Sequence, residues 1–272
     1  MGFMFLFPEG KKNALTFSYD DNQIFDRRLV EILNKNHLKG TFHLNSGTMG
    51  CQNERDFFLE WNEIKELYRG HEVACHGYHH PFFNQLSKGV LVEEILKDKE
   101  TLEQVMEYPI RGMSYPFGVY SDEICNVARM LGIEYSRTVE STGNFNLPDD
   151  FLKWNPTCHH SANLTELAEQ FLNPPSYANL QLFYIWGHSF EFDRENSWDM
   201  MEAFCEKVGK KDSVWYATNI EIKEYIEAAR GLISTAKQDI VYNPSALDIF
   251  VEYQDQVIKI KAGATVKLSQ VS

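Results

Sequence analysis

The strongest constraint on the fold is a repeated alternation of short apolar runs with amphipathic helical patterns. Seven apolar runs can be counted, and most of them precede a helical pattern: NALTFS, GTFHLN, HEVAC, IRGMSY, IEYSRTV, LQLFYIW and VWYAT. Repeated β–α units imply a parallel sheet covered by helices. The dinucleotide-binding pattern GxGxxG follows none of these runs. The sequence therefore predicts an α/β fold, a (β/α) barrel of about seven parallel strands that is complete or incomplete.

The pattern changes after about residue 237. Residues 247–268, LDIFVEYQDQVIKIKAGATVKL, alternate between apolar and polar side chains with a period of two, around a turn expected at 254–256. This period is typical of β-strands with one buried face. We therefore expect a barrel over residues 1–237 and a C-terminal β extension over 238–272, a hairpin packed on the barrel.

The charge balance limits the partners. The chain carries 39 acidic and 26 basic residues, a formal net charge of -13, which argues against nucleic acid or an anionic membrane. A neutral or cationic small molecule fits better, and no oligomeric state is predicted. The N-terminal apolar run is too short for a signal peptide, so we expect a cytoplasmic protein unless a leader peptide has been removed.

Polar residues follow several of the predicted strands. Asp20 and Asp21 come directly after the first strand, and His76 and His80 follow the third. Taken alone, an Asp pair is typical of a turn, and two histidines four residues apart are common. His188 also ends a predicted strand, in LFYIWGHS. Because the carboxyl ends of parallel strands meet on one face of a barrel, these side chains are expected to converge.

The converging residue types suit hydrolytic metal chemistry. Two histidines and one aspartate make a three-ligand site with an open position for water. The second aspartate can then act as general base, and His188 as general acid to the leaving group. Zinc fits this donor set, and so do cobalt, nickel and iron.

The motifs resemble those of the polysaccharide deacetylases, the NodB-homology group or carbohydrate esterase family 4, over about residues 12–227. TFSYDDN is similar to the family's Thr-Phe-Asp-Asp-Gly motif, which implies that Asp20 is the base and Asp21 a metal ligand. HGYHHP is similar to its His-Ser/Thr-x-x-His-Pro element, which implies that His76 and His80 are ligands.

Two further motifs support the resemblance. YPFG is similar to the third motif, so the Phe117 N–H is implied as an oxyanion donor. GHS is similar to the last motif and implies that His188 is the acid, with Trp186 or Ile185 near the acetyl methyl group.

The sequence departs from the family pattern at three places. Asn22 stands where the first motif has glycine, and Ser114 stands where the third motif has the arginine that orients the base. Arg111 is the first candidate for that arginine, and Arg137 is the alternative. The Asp and Trp element of the fourth motif has no clear counterpart, although WNPTCHH at 154–160 occupies a similar place.

The resemblance implies a metal-dependent hydrolase that removes an N- or O-acetyl group from a carbohydrate and acts on non-peptide carbon–nitrogen bonds. One divalent metal ion is the expected cofactor. An amidase of the same superfamily that acts on a small ureide-type substrate is an alternative. A third possibility is an inactive carbohydrate-binding protein, although such a protein has no need of an Asp-Asp and His-His set.

Overall fold

We analysed a computed structural model of the chain, which describes residues 2–52, 57–175, 178 and 180–270. Helices cover one face of a parallel sheet in the order expected from the alternating pattern. In the described part of the chain the α-helices are α1 (Asp26–Lys35), α2 (Trp61–Leu67), α3 (Lys88–Met106), α4 (Asp122–Met130), α5 (Leu164–Leu172), α6 (Ser189–Arg194), α7 (Trp198–Val208) and α8 (Asn219–Arg230).

The main sheet is parallel and carries the functional rim. Its strands are β2 (Asn13–Asp20), β3 (Gly40–Leu44), β4 (Glu72–Cys75), β5 (Gly112–Ser114), β6 (Tyr135–Arg137), β7 (Cys158–His159), β8 (Gln181–His188) and β9 (Val214–Tyr216). They follow the path β6-β5-β4-β3-β2-β8-β7, and β9 pairs with the first half of β2. The predicted incomplete (β/α) barrel is confirmed. The two-residue strand β7 is the one strand of this sheet that the alternation did not predict.

A short irregular segment crosses between β6 and β7, the two ends of the strand path. Trp154 forms a parallel bridge to Arg137 of β6, and four residues later Cys158 pairs with Ile185 of β8. The Thr138 N–H donates to the Trp154 carbonyl at 3.0 Å. The barrel is therefore incomplete, and the crossing segment brings residues 158–160 to the same rim as the ends of the longer strands.

The local sequence explains why these elements form. Every residue of β2 is buried, as expected for a central parallel strand with both faces covered. Ser121 caps α4 by accepting from the Ile124 N–H, and Thr218 with Glu221 forms a capping box at the start of α8. Each cap satisfies backbone donors that the first helical turn leaves unpaired.

The C-terminal extension is built from antiparallel strands. The strands β12 (Ile249–Tyr253) and β13 (Gln256–Ile260) form the predicted hairpin, with Gln254 and Asp255 in left-handed conformations at its turn. The strand β1 (Met4–Leu6) adds to this hairpin through pairing with β12. A second small sheet contains β10 (Ile233–Ser234), β11 (Ile240–Tyr242) and β14 (Thr265–Lys267).

The hairpin sheet packs on α8. The Tyr225 hydroxyl donates to the Leu6 carbonyl at 2.8 Å and accepts from the Phe250 N–H at 3.1 Å. Apolar side chains of the hairpin and of α8 share one buried cluster. None of the helices in the described ranges is long and apolar enough to cross a membrane.

Candidate active site

Six strands deliver polar side chains to one rim of the barrel. Asp20 is the last residue of β2, and it is in register with His188, the last residue of β8. His76 follows β4, and Ser114, Arg137 and His159 end β5, β6 and β7. The predicted convergence of the aspartate pair with His76, His80 and His188 on this rim is therefore seen.

Asp21, His76 and His80 form a compact set of donor atoms. The two His Nε2 atoms lie 3.1 Å apart, and they lie 3.6 Å and 3.7 Å from Asp21 Oδ1. Two ligands about 2.0–2.2 Å from one tetrahedral zinc ion are about 3.3–3.6 Å apart. The spacing of these three atoms therefore fits a single divalent cation.

Hydrogen bonds turn His76 toward this site. Its Nδ1 lies 3.0 Å from the Ser114 carbonyl oxygen and 2.7 Å from Ser114 Oγ, and the same hydroxyl donates to Asp20 Oδ1 at 3.1 Å. An Nδ1–H that donates to Ser114 leaves the Nε2 lone pair for a metal. Burial lowers the pKa of His76 well below its usual value, so the imidazole is neutral, as a ligand must be.

Asp98 fixes the backbone of the same loop. Its Oδ2 accepts from the His76 N–H at 2.9 Å, and its Oδ1 accepts from the N–H and the hydroxyl of Ser46 at 2.8 Å and 2.6 Å. Asp98 comes from α3 and is fully buried. Sequence reasoning missed this residue, because a single aspartate within a helical pattern gives no signal of a tertiary contact.

Asp20 lies beside the donor set and is paired with Arg137. The Arg137 guanidinium donates to Asp20 Oδ2 and to Ser18 Oγ, and both members of the ion pair are almost completely buried. Burial alone would raise the pKa of Asp20, but Arg137, with help from His76, holds it well below the usual carboxyl range. Asp20 is therefore an anion at neutral pH, as a general base must be.

Arg111 is not in the site, and this corrects the prediction that it orients the base. It lies before β5, so it reaches the opposite rim of the barrel, where its guanidinium contacts Glu134 and Glu224. The arginine that meets Asp20 is the alternative, Arg137, at the carboxyl end of β6. Ser114 occupies the place of the family's arginine and links His76 to Asp20.

Four residues of the site have left-handed backbone conformations: Asp21 (φ 79), Asn22 (φ 39), His80 (φ 57) and Phe117 (φ 57). Such conformations are uncommon outside glycine, cost of order 1–3 kcal/mol each and cluster at functional sites. The buried Asn22 tolerates the turn that the family builds with glycine. Its Oδ1 accepts from the Asn45 N–H at 2.8 Å, which ties the aspartate turn to the end of β3.

His188 lies near Asp21, on strand β8, which pairs with β2. Its Nε2 lies 3.8 Å from Asp21 Oδ2, and its Nδ1 lies 3.2 Å from Glu191 Oε2. Burial alone would lower the pKa of His188, but the Glu191 and Asp21 carboxylates raise it above the usual value. The protonated form, which a general acid needs, is therefore favoured.

Glu191 lies at the centre of a second group of imidazoles. Its Oε2 accepts from the His188 N–H at 3.1 Å and lies 3.1 Å from His159 Nε2 and 3.2 Å from His160 Nε2. Burial would raise the pKa of Glu191, but these imidazoles hold it below its usual value. From the sequence, His159 and His160 could line the site or bind a metal, but a loop role was favoured, because the two-residue strand β7 shows no period.

The aspartates and histidines open into a cavity of about 500 Å³ with aromatic and aliphatic walls, formed by Tyr115, Phe117, Val139 and Trp186. Trp186 lines this cavity, whereas Ile185 is buried in the core. Phe117 is 49% exposed and stacks on Phe82 with ring centres 3.8 Å apart. A second cavity of about 200 Å³ shares Asp21 and His80 with the first, so open space lies on both sides of the donor set.

Comparisons with known proteins agree with this architecture. The family model for polysaccharide deacetylases matches residues 8–136, which include β2 to β5 and all three residues of the donor set. A crystal structure from Mycobacterium smegmatis, assigned to the polysaccharide deacetylases, is 19% identical with a TM-score of 0.61, over 85% of this chain and 95% of that one. The Streptococcus pyogenes deacetylase PplD, solved with acetate, is 24% identical with a TM-score of 0.51, over 58% of this chain and 69% of that one. Both structures share the fold of this chain.

A curated relative, the uncharacterized protein YlxY of Bacillus subtilis (strain 168), is 25% identical over 109 residues, 37% of this chain. The match spans 30% of that protein's length. The incomplete (β/α) barrel of this chain is thus a fold that these solved structures share. The polysaccharide deacetylase family model covers just under half of the chain, and over residues 8–136 the chain is similar to that family.

Proposed function

We propose that this protein is a metal-dependent deacetylase that hydrolyses an N- or O-acetyl group of a carbohydrate. The observation that carries the proposal is the placement of the buried Asp20–Arg137 ion pair beside the three donor atoms of Asp21, His76 and His80. A protein that only binds sugars gains nothing from a buried charge pair next to a metal-binding set. A hydrolase gains an ionised base at the position where water would be activated.

Asp21, His76 and His80 would hold the cation. A divalent cation bound by two imidazoles and one carboxylate lowers the pKa of water and polarises a carbonyl group. Zinc is the cation we expect, and cobalt, nickel and iron suit the same donors.

Asp20 is the general base in this proposal. Its Oδ2 lies 3.7 Å from His76 Nε2, so the carboxylate faces the donor set. The contacts from Arg137 and Ser114 fix its orientation. Arg137 is thus a positioning residue that also keeps the base ionised.

His188 is the general acid, and it protonates the departing amine or alkoxide. Its Nε2 lies 3.8 Å from Asp21 Oδ2, and His76 Nε2 lies 3.6 Å from Asp21 Oδ1, so the acid is next to the donor set. The Phe117 N–H is proposed to donate to the oxyanion. Its left-handed backbone follows Pro116, as in the family motif.

The cavity walls support an acetylated sugar as the substrate. Trp186 supplies an aromatic wall for the acetyl methyl group, and the exposed Phe117 ring offers an apolar surface to a sugar ring. The space on both sides of the donor set, about 500 Å³ and 200 Å³, is more than a small ureide needs. This observation favours a carbohydrate over the alternative of a small-molecule amidase.

Acetate release tests the proposal. The zinc-loaded protein is incubated with acetylated xylo-oligosaccharides, N-acetylglucosamine oligomers and small ureides, and free acetate or ammonia is measured. Release of acetate from a carbohydrate, lost in Asp20→Asn, is the expected result. Turnover of a ureide alone would identify the amidase, and binding of oligosaccharides without turnover would identify an inactive binding protein.

A further inference from the structure

His159, His160 and Glu191 form a second cluster of metal-type donors on the same rim. We propose that these three residues bind a second divalent cation of the zinc type, separate from the cation at Asp21, His76 and His80. The proposal does not depend on the deacetylase reaction, because it concerns only which cations the folded protein holds.

The distances within the cluster suit one ion. His159 Nε2 and His160 Nε2 lie 3.1 Å and 3.2 Å from Glu191 Oε2, and the three atoms lie within 4.8 Å of one another. Ligands of one tetrahedral zinc ion are about 3.3–3.6 Å apart, so a small adjustment of the side chains admits the cation. Imidazole and carboxylate are both common zinc ligands.

Contacts with Ser161 fix the orientation of the His159 ring. Its Nδ1 lies 2.8 Å from Ser161 Oγ, and this contact turns its Nε2 toward Glu191. The Ser161 N–H also donates to Nδ1 at 3.3 Å, so the ring proton is on Nε2, which lies 3.1 Å from Glu191 Oε2, and a cation bound there would displace this proton. A hydrogen bond at one ring nitrogen fixes the ring and leaves the other nitrogen for the metal.

His160 supplies an independent observation. The residue is 1% exposed, and among the residues that the structure describes, neither of its ring nitrogens forms a hydrogen bond. Its Nε2 is close to Glu191 Oε2 but not in the geometry of a hydrogen bond. An unpaired buried polar group costs about 1–3 kcal/mol, and a cation on Nε2 would remove that cost for one of the two nitrogens.

The surroundings hold the His160 ring in place. It stacks on Tyr19 at 5.8 Å and contacts Phe192 at 4.2 Å between ring centres. A Cβ atom at Gly187 would lie 2.0 Å from His160 Nδ1, so the ring fits only because β8 has glycine there. Gly187 is therefore required for the position of the His160 ring in the cluster.

His188 lies between the two donor sets and keeps them distinct. Its Nδ1 is 3.2 Å from Glu191 Oε2, and its Nε2 is 3.8 Å from Asp21 Oδ2. Because the two sets share no ligand, single substitutions can remove one cation at a time.

The test counts bound zinc. The full-length protein is equilibrated with Zn²⁺, separated from loosely bound metal by gel filtration, and analysed by elemental mass spectrometry. We expect about two zinc ions per chain for the wild type, about one for Glu191→Gln and none for the double variant with His76→Ala. Gln keeps the size of Glu191 and removes its charge. His37→Asn, at an exposed turn with φ 56, is the matched control and should keep both ions.

Folding is checked by circular dichroism, and His159→Gln is a second variant at a less buried position. One zinc ion in the wild type, unchanged in Glu191→Gln and His159→Gln and lost in His76→Ala, would overturn the second site. The cluster would then be a hydrogen-bonded support for His188, and the proposed deacetylase would be unaffected. If the His76→Ala variant held as much zinc as the wild type, the first site would be refuted.

Discussion

Replacement of Arg137 by glutamine should disable the base while leaving the metal donors in place. Arg137 is fully buried and donates to Asp20, to Ser18 Oγ at 3.0 Å and to the Thr138 carbonyl at 3.0 Å. Its loss leaves the Asp20 carboxylate buried without its cationic partner. Breaking a buried ion pair in this way costs about 3–5 kcal/mol of stability.

The same change should alter the pH profile of turnover. Arg137 is the largest influence that lowers the pKa of Asp20, and a neighbouring opposite charge lowers a carboxyl pKa by about 1–3 units. Without Arg137, the pKa of Asp20 rises by about that amount. Because the base works only when deprotonated, the rising limb of kcat/KM against pH should move to higher pH by about 1–3 units. At pH 7 we expect a loss of about 10–100-fold, as is typical when a supporting group is removed.

Arg111→Gln is the matched control. Its side chain is one-third exposed and pairs with Glu134 and Glu224, so stability should fall by about 1 kcal/mol or less and the pH profile should not move. If Arg137→Gln unfolds, the double variant with Asp20→Asn should regain stability, because the buried charge is gone. If Arg137→Gln folded and kept the wild-type pH profile, Arg137 would not be the residue that orients Asp20. A loss of activity in Arg111→Gln would instead support Arg111 in that role.

Three further predictions concern the acid, the aromatic wall and a buried carboxyl. His188→Gln should slow hydrolysis of amides far more than that of activated esters, whose leaving groups need no proton; equal losses on both would exclude the acid role. Phe117→Gly keeps the main-chain N–H and suits φ 57, so KM for a carbohydrate should rise with kcat nearly unchanged. A fall in kcat alone would contradict the role of the ring. Burial raises the pKa of Glu72 from 4.5 to about 7. The unfolded chain loses this proton first as the pH rises, so stability should fall between about pH 4.5 and 7 by about 3 kcal/mol. In urea unfolding Glu72→Gln should flatten this dependence, and an unchanged slope would show that Glu72 is ionised in the native protein.

Much of the rim was predictable from one rule, that parallel strands present their carboxyl ends together. The rule was sufficient for Asp20, Asp21, His76 and His188, each of which ends or follows a strand. It also explains the error at Arg111. That residue precedes β5, a strand of three residues, so it lies about 10 Å from the rim at about 3.3 Å per residue. The same rule applied to arginine would have chosen Arg137.

Other contacts left no local signal. The strand β7 has two residues, too few for a period, so the convergence of His159 and His160 on Glu191 could not be predicted. Pairing of β1 with β12 joins residues about 246 positions apart, as in Phe5 with Val251. Local periodicity predicts that a strand forms but not which distant strand it meets, because pairing depends on how the whole chain folds.

The most direct test of the central claim is acetate release by the zinc-loaded protein from acetylated carbohydrates, measured beside Asp20→Asn of equal zinc content. We predict steady release by the wild type and a loss of several orders of magnitude in the variant, since the cation remains and the base is gone. Equal release by the two proteins would contradict the role of Asp20. No release from any acetylated carbohydrate by a wild type that holds its zinc would contradict the proposed function itself.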